Sequence, residues 1–313
     1  MRRSLTAVVD DYPHTVDLLA GVIDNPVVEF QFRHYSPVYA AFAEMVQRRA
    51  FDVCEMALAT YVQARGAGRP ITLLPVTMLA RFQHEFAMKS ARGPIVDPRD
   101  LEGRRVGLRS YSQTTGVWLR GILAHQFGVN LSAIEWVVQE QTHVDGFEPP
   151  PNLVFAEPGA RMGDLLDRGE VSAAFVSYTL DGASDPAPLF EDLATVTQEW
   201  YRQTGVIQIN HMVCIGTDLV EDQPEIVQAV LSMFSAARQS AVYPRSEGGP
   251  LAWAHDLDMV PFGTAAVRPS VAKMLALCIE QGVVGDHLTI DDLLHPTVTE
   301  LEASGSAAPQ RLV

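Results

Sequence analysis

The sequence predicts an α/β protein with two lobes. Apolar segments of strand length alternate with helical patterns in two series, one starting near Leu5 and the other near Arg105. Strands that alternate with helices at this spacing are typical of a parallel sheet covered by helices. With 313 residues, the chain is long enough for two lobes that each have their own core.

The first series runs from residue 5 to residue 76. Short apolar runs rich in branched residues indicate strands, and apolar residues repeated every three or four positions indicate helices. Strands are predicted at residues 5–9, 27–33, 51–53 and 71–76, and helices at residues 16–21, 38–48 and 56–65. In this assignment Glu55 follows a short strand and opens a helix.

The second series begins after a capped turn at residues 97–102. Strands are predicted at residues 105–108, 134–138 and 173–177, and helices at residues 115–127 and 162–167. A long loop with several prolines covers residues 139–158. An apolar, β-rich segment at 206–215 follows, and helices are then predicted at residues 223–242, 270–281 and 290–294.

The order of the two series predicts how the lobes are joined. The second series is inserted in a fold that resumes after about residue 212, so the chain would cross between lobes twice, near residues 82–88 and 209–214. Lobe 1 would contain residues 1–86 and 212–313, with a loose tail at 302–313, and lobe 2 residues 87–211. Ligands of open α/β sheets bind beyond the carboxyl ends of strands, so we expect a cleft at the crossings.

The stretch at residues 105–127 predicts an anion site. A strand leads into a loop with Arg109, Ser112 and Thr114, and a helix follows. A helix N-terminus presents free backbone N–H groups and the positive end of the helix dipole. No acidic residue occurs between Gly103 and Ile134 to neutralise it. The alternative is an ordinary strand–helix corner whose loop faces water.

Composition limits the partners. The net charge of -15, from 23 basic and 38 acidic residues, argues against nucleic acid. No apolar run approaches the ~20 residues that span a membrane, and Asp10 ends the N-terminal apolar run too early for a signal peptide. We therefore expect a cytoplasmic protein whose partner is a small-molecule carboxylic acid, and a homo-oligomer is left open. Its three cysteines are odd in number and widely spaced, which favours reduced thiols: Cys54, Cys214 and Cys278.

Several segments, in order along nearly the whole chain, resemble the 4,5-dihydroxyphthalate decarboxylase family. They are Phe51-Asp-Val-Cys-Glu-Met-Ala-Leu-Ala-Thr-Tyr61, Val117-Trp-Leu-Arg-Gly-Ile-Leu123, Tyr201-Arg-Gln-Thr-Gly205 followed by His211, and Glu280-Gln-Gly-Val283. The motif around Glu55 and the helix with Trp118 are the most specific. The resemblance implies a two-lobed fold like that of type 2 periplasmic binding proteins, with two crossover segments and a central cleft.

The chain departs from the family pattern where arginines are expected. The family has Asp-Arg in the first loop, an Arg-x-Phe-Arg-His run, and an Arg-Pro pair after a lobe 2 strand. This chain has Pro13-His14, Ala80-Arg81-Phe82-Gln83-His84 and Ser177-Tyr178 at those places, and it gains Arg109 where the family has Pro-Glu-Tyr. Because arginines are natural partners of carboxylates, we expect a different acid, with one carboxylate rather than two.

The candidate site residues follow from the resemblance and from the cleft. His84 and His211 match family motifs and lie on the predicted crossings, so we expect them to be catalytic together with Glu55. Without the family match, each of these three residues would more often be structural. A single histidine is usually a buried structural residue, and a glutamate at a helix N-terminus usually interacts with the helix dipole. The predicted substrate-binding residues are Arg109, Tyr111, Ser112, Thr114 and Thr115, with His14 and Tyr178 at strand ends.

The other histidines are not part of the predicted site, and a metal site is the alternative role for the three catalytic candidates. His125, His143, His255, His287 and His295 are interpreted as surface or structural residues. Glu55, His84 and His211 would make a two-histidine, one-carboxylate set for a divalent metal, but no short-range ligand spacing supports one. We therefore expect no cofactor.

The predicted function is a cofactor-independent decarboxylase of a hydroxylated aromatic or related unsaturated acid, acting through histidine and glutamate acid–base chemistry. One alternative is a non-catalytic protein that binds an aromatic carboxylate, as a transporter receptor or a sensor. Another is a different lyase or dehydratase on the same fold, similar to the chorismate dehydratases.

Overall fold

The fold is built on two β-sheets. The structure is a computed structural model and describes residues 2–91, 93–176, 180, 182–243 and 249–304. The first sheet has the strand order β2-β1-β3-β11-β4. Its strands are β1 (Arg3–Val8), β2 (Val28–Phe32), β3 (Val53–Ala57), β4 (Ile71–Ala80) and β11 (Ile209–Gly216).

The second sheet is formed by the middle of the chain, in the order β10-β5-β9-β6-β7-β8. Its strands are β5 (Ala87–Ser90), β6 (Arg105–Leu108), β7 (Glu135–Val138), β8 (Leu153–Phe155), β9 (Ala173–Phe175) and β10 (Pro186–Pro188). The chain thus leaves the first sheet after Ala80 and re-enters it at Ile209. The expected α/β fold with two lobes is confirmed.

Helices cover both sheets. They are α1 (Val16–Leu19), α2 (Phe42–Arg48), α3 (Leu58–Gly66), α4 (Thr114–Phe127), α5 (Met162–Asp167), α6 (Leu193–Thr204), α7 (Thr217–Asp222), α8 (Pro224–Ser240), α9 (Thr264–Glu280), α10 (Ile290–Leu293) and α11 (Pro296–Ser304). Among the described helices, none is both long and apolar enough to cross a membrane. All three cysteines are buried as free thiols, as predicted.

The sheets are mixed rather than purely parallel. β1 pairs in parallel with β2 and β3, but β11 runs antiparallel between β3 and β4. In the second sheet β5 is antiparallel to β9 and β10. The antiparallel strands β5 and β11 are the strands that the chain enters first after each of the two passages between the sheets.

One local prediction is wrong, and another is tested over three residues only. Glu55 lies in the middle of β3 and does not open a helix, because β3 continues to Ala57 to pair with His211 of β11. The predicted loose tail overlaps α11, where the Glu302 carboxylate accepts from the backbone N–H of Thr264 (3.0 Å) at the start of α9. Residues 305–313 of that tail lie outside the described residues.

Helix α4 ties the second sheet to the return strand of the first. Trp118 is completely buried, and its indole N–H donates to the carbonyl of Ile209 (2.9 Å), the first residue of β11. On the same helix the guanidinium of Arg120 donates to the side-chain oxygen of Gln281 (2.7 Å), just beyond α9. This packing holds the N-terminus of α4 close to β11.

Replacing Trp118 with Phe should lower the free energy of unfolding by about 1–3 kcal/mol, because it removes the donor of a buried hydrogen bond. Trp253→Phe is the matched control. That indole is half-buried and donates to Thr197 (3.0 Å), where water can substitute, so its loss should stay below about 1 kcal/mol. Urea unfolding measures both, and equal losses would show that the bond to β11 does not stabilise the fold.

Candidate active site

A cavity lies where the two sheets meet. It encloses about 490 Å³ of atom-free space, counting the part open to solvent. Helix α3 follows β3 of the first sheet and helix α4 follows β6 of the second, and both begin at the cavity. The backbone N–H of Ala59 in α3 donates to the Thr114 hydroxyl at the start of α4 (3.1 Å). The N-termini of two helices from different sheets therefore converge on one cavity.

Glu55 and His211 form a hydrogen-bonded pair at the wall of this cavity. The Nδ1 of His211 lies 2.6 Å from Oε1 of Glu55. Because a carboxylate accepts hydrogen bonds, Nδ1–H is the donor of this bond. Nε2 is the ring nitrogen that the bond to Glu55 leaves unused. His211 lines the cavity, whereas Glu55 is completely buried behind it.

Strand register explains why these two side chains meet. Glu55 of β3 is directly opposite Val213 of β11, and His211 is two residues from Val213 on the same strand. Side chains two residues apart point to the same face of a sheet, and such diagonal neighbours are within reach of long side chains. The pair is thus fixed by the position of β11 beside β3.

Two further donors satisfy the Glu55 carboxylate. The Tyr12 hydroxyl donates to Oε1 (2.7 Å), and the backbone N–H of Asp10 donates to Oε2 (2.9 Å). Burying a carboxylate is costly unless charge and hydrogen bonds compensate it. With His211, three donors hold Glu55 in place.

The predicted anion loop faces the cavity. Ser112, Thr114 and Thr115 all line it and are almost completely buried. Helix α4 begins at Thr114 without an acidic residue in its first turn, and the Gln113 side chain does not cap it. The first-turn N–H groups of a helix have no intrahelical acceptor, so this end of α4 can bind an anion.

Two arginines line the cavity, one from each side. Arg109 contacts the ring of Tyr39 (4.4 Å from the guanidinium carbon to the ring centre) and forms an ion pair with Glu140 (2.7 Å). Arg81 follows β4 and stacks on Phe86 at 3.7 Å. Arg109 was predicted from the sequence, but Arg81 was not. Arg81 nevertheless lies in the segment at residues 80–84, which matches the family's arginine-bearing motif.

His84 does not face the cavity, so the prediction that it meets His211 there is wrong. Its ring is completely buried against Phe190 and Trp200, and Nε2 lies 2.9 Å from the side-chain oxygen of Gln126. Burial lowers the pKa of His84 to about 4. The segment between β4 and β5 turns the side chain toward α4 and α6, and not toward β11.

Two of the predicted substrate-binding residues lie elsewhere. Tyr111 points into the core, where its hydroxyl donates to the Gln281 carbonyl (3.1 Å). His14 stacks on the ring of Tyr12 (5.3 Å between centres), behind the Glu55 carboxylate, and burial lowers its pKa to about 4. Tyr178 lies outside the described residues.

The hypothetical metal set is not assembled either, since His84 is separated from Glu55 and His211. Among the described residues, no group of three or more His, Cys, Asp or Glu side chains is placed to hold a metal ion.

Some cavity residues were missed by the sequence analysis. Besides Arg81 they are Tyr39, Phe42, Thr60, His143 and Asn210. Asn210 precedes His211, and its side-chain N–H donates to Thr115 Oγ1 (3.2 Å). Such residues carry no spacing signal, because their convergence depends on the packing of the two sheets.

The sequence is similar over most of its length to curated enzymes. It is 26% identical to the 4,5-dihydroxyphthalate decarboxylase of Comamonas testosteroni, over 95% of this chain and 97% of that enzyme. It is also 26% identical to the 4,5-dihydroxyphthalate decarboxylase of Pseudomonas putida, over 64% of this chain and 81% of that one. A family model described as "NMT1/THI5 like" matches residues 37–147.

The fold is that of periplasmic binding proteins. The structure resembles the periplasmic aliphatic sulphonate binding protein SsuA from Escherichia coli, with a TM-score of 0.57 and 15% identity, over 96% of this chain and 100% of that one. At this identity the likeness concerns the fold alone. The fold inferred from the family resemblance is therefore confirmed.

The burial of His84 has a consequence for stability below neutral pH. Its pKa is lowered from 6.5 to about 4 on folding, so the unfolded chain takes up the proton first as the pH falls. The contribution of neutral, buried His84 to the free energy of unfolding is therefore complete above about pH 6.5, and it is lost as the pH falls toward 4. From pH 7 to pH 5 this loss should be ~2 kcal/mol.

Urea unfolding of His84→Gln at pH 7 and pH 5 tests this assignment. The substitution removes the titrating group, so stability should change less between the two pH values than in the unsubstituted protein. His255→Gln, at an exposed position, is the control and should keep the original pH dependence. If His84→Gln keeps it as well, His84 is not held neutral by burial.

Proposed function

We propose that this chain is a cofactor-independent decarboxylase of a hydroxylated aromatic carboxylic acid, starting from its similarity to two 4,5-dihydroxyphthalate decarboxylases. The observation that carries the proposal is the Glu55–His211 pair, 2.6 Å apart, with its imidazole at the cavity. The curated relatives are both named for a decarboxylation. The carboxylate-backed imidazole is the kind of group that such a reaction needs.

The chemistry requires a proton at the carbon that loses CO2. A hydroxyl on the ring, once deprotonated, pushes electrons into the ring and makes that carbon basic. Protonating it gives a dienone-like intermediate, and the carbon–carbon bond electrons return to the ring when CO2 leaves. The ring itself therefore accepts the electrons, and the protein has to move protons and hold the substrate.

We assign the donation of this proton to His211. Its Nδ1–H bond to Glu55 orients the ring and directs Nε2 to the cavity. The buried carboxylate of a hydrolase triad fixes the orientation of its imidazole in the same way. Tyr12 and Asp10 hold Glu55 in turn, so the imidazole has little rotational freedom.

The cations and the α4 N-terminus would bind the substrate carboxylate. Arg81 and Arg109 line the cavity from opposite sides, and Ser112, Thr114 and Thr115 surround the first turn of α4. Arginine binds carboxylates through paired hydrogen bonds. The site thus offers positive charge within a protein whose net charge is -15.

Replacing His211 with Asn should lower kcat/KM for decarboxylation by ~100- to 10,000-fold, because the variant cannot transfer the proton. His125→Asn is the matched control: its ring lies 2.8 Å from the Glu280 carboxylate, so it is also a histidine–carboxylate pair, but it is exposed and outside the cavity. Its activity should equal that of the unsubstituted protein. CO2 release is measured from 4,5-dihydroxyphthalate and from hydroxybenzoates with a single carboxylate.

Product mass distinguishes the alternatives. Loss of CO2 supports the proposal, and loss of water would indicate a dehydratase instead. A bound acid that leaves the protein unchanged would indicate a binding protein. Full activity in His211→Asn would remove His211 from the mechanism.

A further inference from the structure

The proposed reaction moves two protons, but the Glu55–His211 pair accounts for only one of them. We propose that His143 is the second acid–base residue and that it removes the proton of the substrate hydroxyl. This inference rests on the decarboxylase function proposed above. It concerns a residue in a long loop that neither its spacing nor its surroundings in the sequence distinguished.

His143 shares the cavity with His211. It lies in the loop between β7 and β8, lines the cavity, and is half-buried. The edge of its ring contacts Phe42, with ring centres 6.0 Å apart and the planes nearly perpendicular. The same Phe42 ring contacts His211 in the same manner at 5.3 Å. One phenyl ring therefore spaces the two imidazoles within one site.

Thr60 defines which nitrogen of His143 would act. Its hydroxyl lies 3.3 Å from Nδ1 of His143. If Nδ1–H donates to this hydroxyl, the lone pair is on Nε2, which is the tautomer that a base requires. Thr60 is on α3 and is itself nearly buried, so it acts as a positioning residue for the imidazole.

The loop of His143 comes from the second sheet but is held by the first. The Gln47 side chain of α2 donates to the carbonyl of His143 (3.3 Å), and the Gln63 side chain of α3 donates to the Thr142 hydroxyl (3.4 Å). Val144 is buried in the main core cluster. His143 thus reaches its place only when the two sides of the cavity are together, so closing the site would also complete it.

Burial and a nearby cation favour a neutral His143 ring. Burial, followed by the positive charge of Arg109, lowers the pKa of His143 from 6.5 to about 4. A ring that is neutral near pH 7 has a lone pair to accept a proton. His211 is hydrogen-bonded to a carboxylate, whereas His143 lies near the cation of Arg109. Two groups in opposed environments are a common basis for dividing acid and base functions.

Each proton and electron pair of the proposed reaction has a donor and an acceptor. The substrate O–H proton goes to Nε2 of His143, while Nε2–H of His211 protonates the ring carbon that bears the carboxylate. The bond to the carboxylate breaks, CO2 leaves, and its electron pair restores the aromatic ring. His143 returns its proton to the phenolate oxygen and water reprotonates His211, so one proton is consumed for each CO2 released.

Kinetics of His143→Asn test the assignment with an acid that the unsubstituted protein decarboxylates, either 4,5-dihydroxyphthalate or a hydroxybenzoate with one carboxylate, and with the analogue of that acid that carries fluorine beside the hydroxyl. We expect kcat to fall ~100- to 10,000-fold with little change in KM, because the variant loses proton transfer. Fluorine beside a hydroxyl makes it more acidic, so the loss should be smaller with the fluoro analogue. The loss in His211→Asn should not shrink in this way, since that residue acts on the ring carbon.

Two further variants complete the test. Thr60→Val should lower kcat by a smaller factor than His143→Asn, because the base remains but its tautomer is no longer selected. His34→Asn, at an exposed position, should match the unsubstituted protein. The assignment to His143 would be overturned by an unchanged kcat in His143→Asn, by a change in KM alone, or by equal losses of kcat with both substrates. None of these outcomes would contradict the decarboxylase function. If the unsubstituted protein releases no CO2 from any of these acids, both proposals are overturned.

Discussion

The buried carboxylate of Glu55 is the constraint on which the rest of the site depends. A carboxylate that is completely buried must be compensated, and here it accepts from Tyr12, from the backbone of Asp10 and from His211. These donors come from the loop after β1 and from β11. The loop, the strand pairing and the imidazole therefore have to be correct together, because a missing donor would leave a buried charge under-compensated.

The topology of the first sheet meets this requirement. β11 arrives from the second sheet and runs antiparallel between β3 and β4. This pairing places His211 two residues before Val213, the partner of Glu55. Trp118 of α4 fixes the start of the same strand. A passage between lobes thus also sets the position of the proposed acid. Opening and closing the lobes would leave the Glu55–His211 pair intact, while it would move α4 and the loop of His143 relative to them.

Much of the fold, and part of the site, could be predicted from the sequence. The two strand–helix series and the anion loop at α4 follow from local patterns, and Glu55 and His211 follow from the family resemblance. His84 was misplaced because a sequence does not show which way a short connecting segment turns its side chain. Helix α6 was not predicted, and Arg81 and His143 were missed, because their roles depend on contacts between segments that are distant along the chain.

The most direct test of the central claim is a double-mutant cycle on kcat/KM for decarboxylation, made with Glu55→Gln, His211→Asn and the double variant. If the two side chains act as one unit, the double variant should lose about as much activity as His211→Asn alone. Losses that multiply would show that Glu55 and His211 act independently, and would contradict the account in which the buried carboxylate works through the imidazole.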